Sequence, residues 1–273
     1  REIVYRAAKR AKADLASQMV NELPNLQGIM GAYYAMYFKE DAEVVLAIRD
    51  QYKPTFEGDD YPETLPGVIL SLADRIDTMV ACYENNAIPT GSRDPWGIRR
   101  SMIAIIRMII HFKIDINLEL LLEDATLTLE KKIGENTQKC RNFFITRVET
   151  VFQENNIPAD MIQLNLKRLL MAPLKAYESA LALVSLKQKN PGSYNLLLET
   201  TTRVAKIITN YDGDALISNQ LFEHDIESEA YDSFIGLRNK RNKFSVAADD
   251  MSETLTFCQT LSTYFEKVLI NAE

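Results

Sequence analysis

Val68-Ile69-Leu70-Ser71-Leu72-Ala73-Asp74-Arg75-Ile76-Asp77-Thr78-Met79-Val80-Ala81-Cys82-Tyr83 decides the fold class. Ile69, Leu72, Ala73, Ile76, Val80 and Tyr83 recur at intervals of three or four, the spacing that lines one side of an α-helix. A strand would repeat at every second residue, and this stretch does not. Loops bound it on both sides. Pro54, Gly58, Pro62 and Pro66 mark a long irregular connection, and residues 85–95 form a second loop rich in turn formers.

Working outward, Asp94-Pro95 supplies an N-cap with proline at the first helical position. The helix it opens is expected to turn Met102, Ile103, Ile106, Ile109 and Ile110 inward, leaving Arg99, Arg100 and Arg107 to water or an anion. Towards the N-terminus, Val4, Ala8, Ala11, Leu15 and Met19 predict one amphipathic helix over 4–19, with Arg6, Lys9 and Arg10 outside and Pro24 closing the pattern. Gly28 and Gly31, three apart in an aromatic segment, let another chain segment come close and predict a tightly packed helix start. A short helix follows over 41–51. Beyond residue 115 the pattern predicts helices near 118–132, 139–155, 159–171, 173–188, 195–211, 228–241 and 250–271. Asn190-Pro191-Gly192-Ser193 reads as the linker between two units, 1–189 (with a helical extension from about 116) and 190–273. The expected fold is all-α.

Composition agrees. The chain has 273 residues, 47% hydrophobic and 25% charged, with only 10 glycines and 9 prolines to spend on turns. Thirty-eight acidic against 31 basic residues give −7, so any contact with nucleic acid must come from a local patch. Cys82, Cys140 and Cys258 are far apart and show no CxxC spacing, which speaks against a disulfide framework or a cysteine zinc site and fits a reducing compartment. The longest apolar stretch, Met102–Ile110, is interrupted by Arg107 and falls short of the roughly 18–20 residues that span a bilayer. The chain opens Arg1-Glu2-Ile3, without Met or a signal-peptide core, so a cytoplasmic piece of a longer protein is expected.

Few residues offer catalytic chemistry. His111 and His224 are the two histidines, too few for a three-histidine zinc site. His111 reads as a helix-end residue. His224-Asp225 resembles a phosphohydrolase dipeptide but stands in an acidic stretch with no further histidine nearby. Asp74 and Asp77, one turn apart, could share an oxygen-ligand ion such as Mg²⁺ or simply pair with Arg75 and nearby basic groups. The loop Pro89-Thr90-Gly91-Ser92-Arg93-Asp94-Pro95-Trp96, with Arg99 and Arg100, offers hydroxyls, guanidinium forks and helix N–H groups for phosphate oxygens. Trp96 could stack on a base or staple the loop to the core. Arg238-Asn239-Lys240-Arg241-Asn242-Lys243 is a second basic run, either a solvated helix end or an RNA contact.

Several of these stretches, taken in order, resemble the beta subunit of bacterial glycyl-tRNA synthetase of the heterotetrameric type. They are Lys12-Ala13-Asp14-Leu15, Met19-Val20-Asn21-Glu22, Leu26-Gln27-Gly28-Ile29-Met30-Gly31 with Tyr34-Ala35, Tyr52-Lys53-Pro54 and Gly58-Asp59-Asp60. Leu72-Ala73-Asp74-Arg75-Ile76-Asp77-Thr78 and Pro89 to Pro95 running into Ile98-Arg99-Arg100 complete the set. From 116 onward the likeness rests mainly on helix pattern, and Thr202 to Ile208 looks like a worn family segment.

The resemblance implies an HD-superfamily-like helical domain whose metal site has decayed. Ala13 precedes Asp14 where a working enzyme has histidine, leaving Asp14, Asp74 and Asp77 as vestiges. It also implies part of a helical-bundle domain like the anticodon-binding domain of arginyl-type synthetases. In such an enzyme ATP, with Mg, is used by the alpha subunit for glycine activation, within an α2β2 heterotetramer. The beta subunit recognises tRNA(Gly) and supports assembly, so this portion would have no catalytic residues and no cofactor of its own. The expected tRNA-binding groups are Arg93, Trp96, Arg99 and Arg100 on the first unit. On the second they are Arg203, Lys206, Arg238, Lys240 and Arg241. Neither membrane nor DNA is expected as a partner. The rival readings are a metal-dependent HD phosphohydrolase using the three aspartates and a helical protein-interaction scaffold.

Overall fold

The computed structural model describes residues 1–90, 93–209, 222–243 and 251–268. The helices among them are α1 (Glu2–Arg10), α2 (Gln18–Glu22), α3 (Ile29–Tyr37), α4 (Ala42–Asp50), α5 (Leu65–Glu84), α6 (Ile98–His111), α7 (Leu118–Thr128) and α8 (Glu135–Glu154). They continue as α9 (Ala159–Gln163), α10 (Pro173–Lys189), α11 (Pro191–Ile208), α12 (Asp225–Lys243) and α13 (Ser252–Lys267). The described residues contain no strand, only the isolated bridge between Thr90 and Arg93. The fold is all-α, as expected. No described helix is long and apolar enough to cross a membrane. The chain divides into two compact units, Arg1–Asn156 with Leu166–Ala176, and Ile157–Asn165 with Tyr177–Glu273.

The first unit is organised on α5 and α6. Thr64 caps α5 by accepting from the Gly67 N–H at 3.2 Å. The helix then buries Val68, Leu70, Leu72, Ile76, Met79, Val80, Cys82 and Tyr83. Ile69 stays 41% exposed and Ala73 is on the surface, so the apolar stripe read from spacing is displaced. The cause is that α5 packs against α1, α4, α6, α7 and α8, and its buried surface is wider than one stripe. The same holds for α6. Ile105 and Met108 are fully buried with Met102, Ile106 and Ile109, while Ile103 and Ile110 are only partly covered. Each such fully buried side chain contributes about 1.5–3 kcal/mol.

The helix expected over 4–19 is broken. α1 ends at Arg10, Lys12 takes a left-handed conformation (φ 63°), and Ala13–Ala16 form a 3₁₀ turn. Ser17 then caps α2 by accepting from the Val20 N–H. The break turns Asp14 inward to 1% exposure, while Leu15 and Met19 of the predicted stripe remain 46% and 45% exposed. The start of α6 is corrected too. Gly97 (φ 64°) is its N-cap, and Asp94 accepts from the N–H groups of Ile98 (2.8 Å) and Arg99 (3.0 Å) from outside the helix. Pro95 is therefore not the first helical residue.

The helix expected over 159–171 is broken where the two units divide: α9 and the residues to Asn165 belong to the second unit, and the 3₁₀ turn at Leu166–Arg168 to the first. Asn165 is buried there and donates its side-chain N–H to the Met161 carbonyl at 3.0 Å, which competes with helix continuation. Asn190, read from the sequence as a linker residue, caps α11 by accepting from the Ser193 N–H at 3.1 Å, with Pro191 opening the helix. α11 and α12 both pack on α13. Tyr194, Leu197, Ile226, Ala230 and Cys258 are buried in the second unit, and the Phe234 and Phe257 rings meet at 6.0 Å.

Candidate nucleic-acid interface

Two charged regions of the first unit bear on function, and the family-like stretches of sequence converge on both. The inner one centres on Asp14. Its Oδ2 accepts from the N–H groups of Gly28 (2.7 Å) and Gly31 (3.0 Å) at the start of α3. Gly31 is needed for this approach, since a Cβ there would stand 2.9 Å from Ile48 Cγ2 and 3.2 Å from the Asp14 carboxylate. Gly28 has φ 77°, and a Cβ on it would meet the Tyr52 ring at 3.0 Å. The tight helix start expected from the glycine spacing is present. Asp74 is ion-paired with Lys12, and Arg75 does not pair with it. Arg75 instead donates to Ser71 Oγ and to the carbonyls of Tyr52 (2.6 Å) and Pro54 (2.8 Å), holding the loop after α4 against α5. Burial pulls the Arg75 guanidinium below its ordinary pKa; Asp74 opposes that shift and Arg100 adds to it.

Whether these carboxylates suit an ion is answered by their partners. Asp14 Oδ2 is occupied by two N–H groups, Asp74 by an ammonium, and Asp77 is exposed. Asp14 Oδ1 and the Tyr52 hydroxyl are buried without hydrogen-bond partners. Burial pushes the Tyr52 phenol up to about 12, with Asp14 and Asp74 adding to the shift, so this hydroxyl keeps its proton. No histidine joins the cluster. His111 ends α6 stacked on Tyr61, with ring centroids 4.4 Å apart, and His224 lies in the second unit, where its backbone N–H donates to Glu227. Among the described residues no group of three or more His, Cys, Asp or Glu is arranged to hold a metal ion. The donor set does not fit a catalytic transition ion.

The outer region is the loop before α6 and the first turn of that helix. Arg93 and Arg100 are exposed, Arg99 is half-buried and Trp96 is 62% exposed, so Trp96 does not staple the loop to the core. Among the described residues neither Arg93 nor Arg100 has a carboxylate partner. Thr90 and Arg93 close the loop through reciprocal backbone hydrogen bonds of 3.1 and 2.8 Å; Gly91 and Ser92 lie outside the described residues. Arg107, further along α6, is different. It donates to Glu57 (2.8 Å) and Glu154 (2.9 Å), so it is answered within the chain and is not left to water or an anion.

On the second unit Arg203 lies 4.4 Å from the Phe265 ring centroid and donates to the Phe265 carbonyl at 3.1 Å. Lys206 and Arg238 are exposed. Lys240 and Arg241 fall on the last turn of α12, and their side chains lie outside the described residues. The first-unit and second-unit groups belong to separate compact units. Sequence reading named only Arg75 among the basic groups that could pair with Asp74; the one that does is Lys12, the first residue of the Lys12-Ala13-Asp14-Leu15 stretch. Sequence reading also missed Arg147, whose guanidinium lies 4.9 Å from the Phe143 ring centroid, a contact signalled by the i, i+4 spacing.

The glycyl-tRNA synthetase beta subunit family model matches residues 2–167. The chain is 34% identical over 237 residues to the glycine–tRNA ligase beta subunit of Halothermothrix orenii, covering 87% of this chain and 34% of that protein. It is 31% identical over 278 residues to the corresponding subunit of Halalkalibacterium halodurans, covering 98% and 40%. With that of Acaryochloris marina the identity is 34% over 252 residues, covering 86% and 35%. The chain thus spans roughly 34–40% of the length of these relatives. The match takes in both charged regions of the first unit, and the chain belongs to the glycyl-tRNA synthetase beta-subunit family.

Proposed function

We propose that this chain is a tRNA-recognition and assembly portion of a cytoplasmic glycine–tRNA ligase beta subunit and carries no aminoacylation site. Glycine activation with ATP and Mg falls to the alpha subunit, in an α2β2 enzyme that charges tRNA(Gly). Residues 1–189 form a degenerate HD-like domain with its extension, and 190–273 part of an anticodon-binding-like domain. Arg93, Trp96, Arg99 and Arg100 contact the RNA from the first, and Arg203, Lys206, Arg238, Lys240 and Arg241 from the second.

The observation that carries this reading is the set of arginines at the start of α6. Arg93 and Arg100 are exposed without a carboxylate partner among the described residues, beside an exposed tryptophan, in a chain whose net charge is −7. Cations left unanswered in an acidic protein suit a phosphate backbone, and an exposed indole suits an unstacked base. The assembly role is supported by the exposed apolar side chains of α3 and the residue after it, among them Tyr37 (81%) and Phe38 (75%), which a subunit contact would cover.

The test is Arg99→Ala with Arg100→Ala in the complete alpha–beta enzyme. Affinity for tRNA(Gly) should fall about tenfold at low salt, and the dependence of log K on log salt should flatten by about two phosphate contacts. Glycyl-adenylate formation should be unchanged. Unaltered tRNA affinity at low salt would overturn the assignment.

A further inference from the structure

The connection from α4 to α5 and the end of α6 enclose a hollow of about 410 Å³ in the first unit, with Lys53, Asp60, Tyr61, Glu63, His111 and Phe112 among its lining residues. Three of these form an aromatic wall. The Tyr61 and His111 rings are stacked with centroids 4.4 Å apart, and Phe112 meets them edge-on at 5.8 and 4.7 Å. The connection itself is tied down along its length. Lys53 pairs with buried Asp50 at 3.2 Å, and Arg49 joins Asp50 to Glu63, each at 2.8 Å. Asp59 accepts from the Thr55 N–H and hydroxyl at 2.6 and 2.7 Å and from the Asp60 N–H at 2.9 Å. Glu57 is held at 2.8 Å by Arg107, one turn of α6 before His111. A ligand entering here has little left to order.

These pairings decide which charge is left over. Residues 53–63 carry four acids, Glu57, Asp59, Asp60 and Glu63, against the single base Lys53. Glu57 and Glu63 have arginine partners, Asp59 is engaged by Thr55, and Lys53 is answered by Asp50. The Asp60 side chain is exposed and has no partner among the described residues. A phosphate-bearing ligand would be repelled from such a place, whereas a cation is drawn to it. Aromatic rings add to that preference, because their faces carry the negative end of the ring quadrupole. A guanidinium suits both features: its plane stacks on rings and its fork matches a carboxylate.

We infer that this hollow receives an arginine side chain of the alpha subunit, whose guanidinium packs against the wall of Tyr61, His111 and Phe112 and donates to Asp60. This rests on the assembly role proposed above and adds a polar anchor to the apolar side chains of α3. Arginine is the better occupant than lysine, because a guanidinium is more weakly hydrated than an ammonium and loses less on leaving water.

The experiment titrates the complete beta subunit with the alpha subunit across a salt series, without tRNA. Asp60→Asn should weaken association about three- to tenfold at low salt, with the urea midpoint unchanged, and the difference should shrink as salt rises. Asp60→Glu should recover part of the loss, because it keeps the charge. Arginine amide should compete with the alpha subunit better than lysine amide at equal ionic strength, and Asp60→Asn should abolish that advantage. The affinity of the assembled enzyme for tRNA(Gly) should not change. If Asp60→Asn lowers tRNA affinity and leaves association intact, the hollow takes a base and the inference is wrong. If association survives Asp60→Asn but not Tyr37→Ser with Phe38→Ser, the inference is wrong and the assembly reading stands. If neither change weakens association, the assembly reading falls as well.

Discussion

Around Asp14 the first unit encloses charge, and around the start of α6 it displays charge. In the enclosed region each of these carboxylates meets donors: Gly28 and Gly31 reach Asp14 Oδ2, Lys12 pairs with Asp74, and Arg49 and Lys53 pair with Asp50. In the displayed region Asp94 accepts from the Ile98 and Arg99 N–H groups, and Arg93 and Arg100 have no carboxylate partner among the described residues. The contrast separates two uses of the same side-chain types. Charges satisfied inside the chain hold segments together, whereas charges left over are available to a ligand. Substitutions in the first region should therefore change stability, and those in the second should change binding alone.

The largest effect belongs to Asp14. Asp14→Ala leaves the buried N–H groups of Gly28 and Gly31 without an acceptor, and such orphaned groups cost about 1–3 kcal/mol each. A loss of about 3 kcal/mol in urea unfolding is expected. Gly31→Ala should cost about 1–3 kcal/mol by overpacking against Ile48. A stable Asp14→Ala protein with impaired tRNA binding would reverse the comparison.

How much of this could be read in advance follows the same division. The closeness at Gly28 and Gly31 was legible because small residues three apart have few other uses in an aromatic segment. The break at Lys12 was not. A single left-handed residue leaves no trace in an otherwise helical pattern, and the carboxylate that motivates it finds its partners 14 and 17 residues away. Helix period was correct in α5 and α6, but the buried side was misjudged because neighbours cover both helices on several sides. Arg107 and Arg147 look equivalent in sequence. Only tertiary structure gives the first its carboxylates, one 50 residues before it and the other 47 residues after, and gives the second none among the described residues.

A smaller, pH-dependent effect should come from Asp50, which is fully buried at the end of α4. Burial alone would raise its pKa, but hydrogen bonds from Arg49, the Glu63 N–H and Lys53 prevail and hold it below the ordinary carboxylate value. A folded-state pKa lower than the unfolded one stabilises the protein above about pH 3.9, the unfolded value. That stabilisation is lost as pH falls through the folded-state pKa. The urea midpoint should drop over that acid range in the parent protein and less steeply in Asp50→Asn, which should be the weaker of the two at pH 7. Identical slopes would mean that the enclosed region does not depend on this carboxylate.

The smallest effect is expected at Arg203, where the two uses of charge meet in one side chain. Its guanidinium is stacked on Phe265 and donates to the Phe265 carbonyl, so it ties α11 to α13 while remaining exposed. An exposed contact of this kind contributes about 0.5–1 kcal/mol, and a group already bound to a carbonyl has less left for a phosphate. Arg203→Ala should therefore weaken tRNA(Gly) binding only about twofold, well under the change for Arg100→Ala in the same salt series. A loss as large as that at Arg100 would show that stacking presents the cation to the RNA and does not consume it.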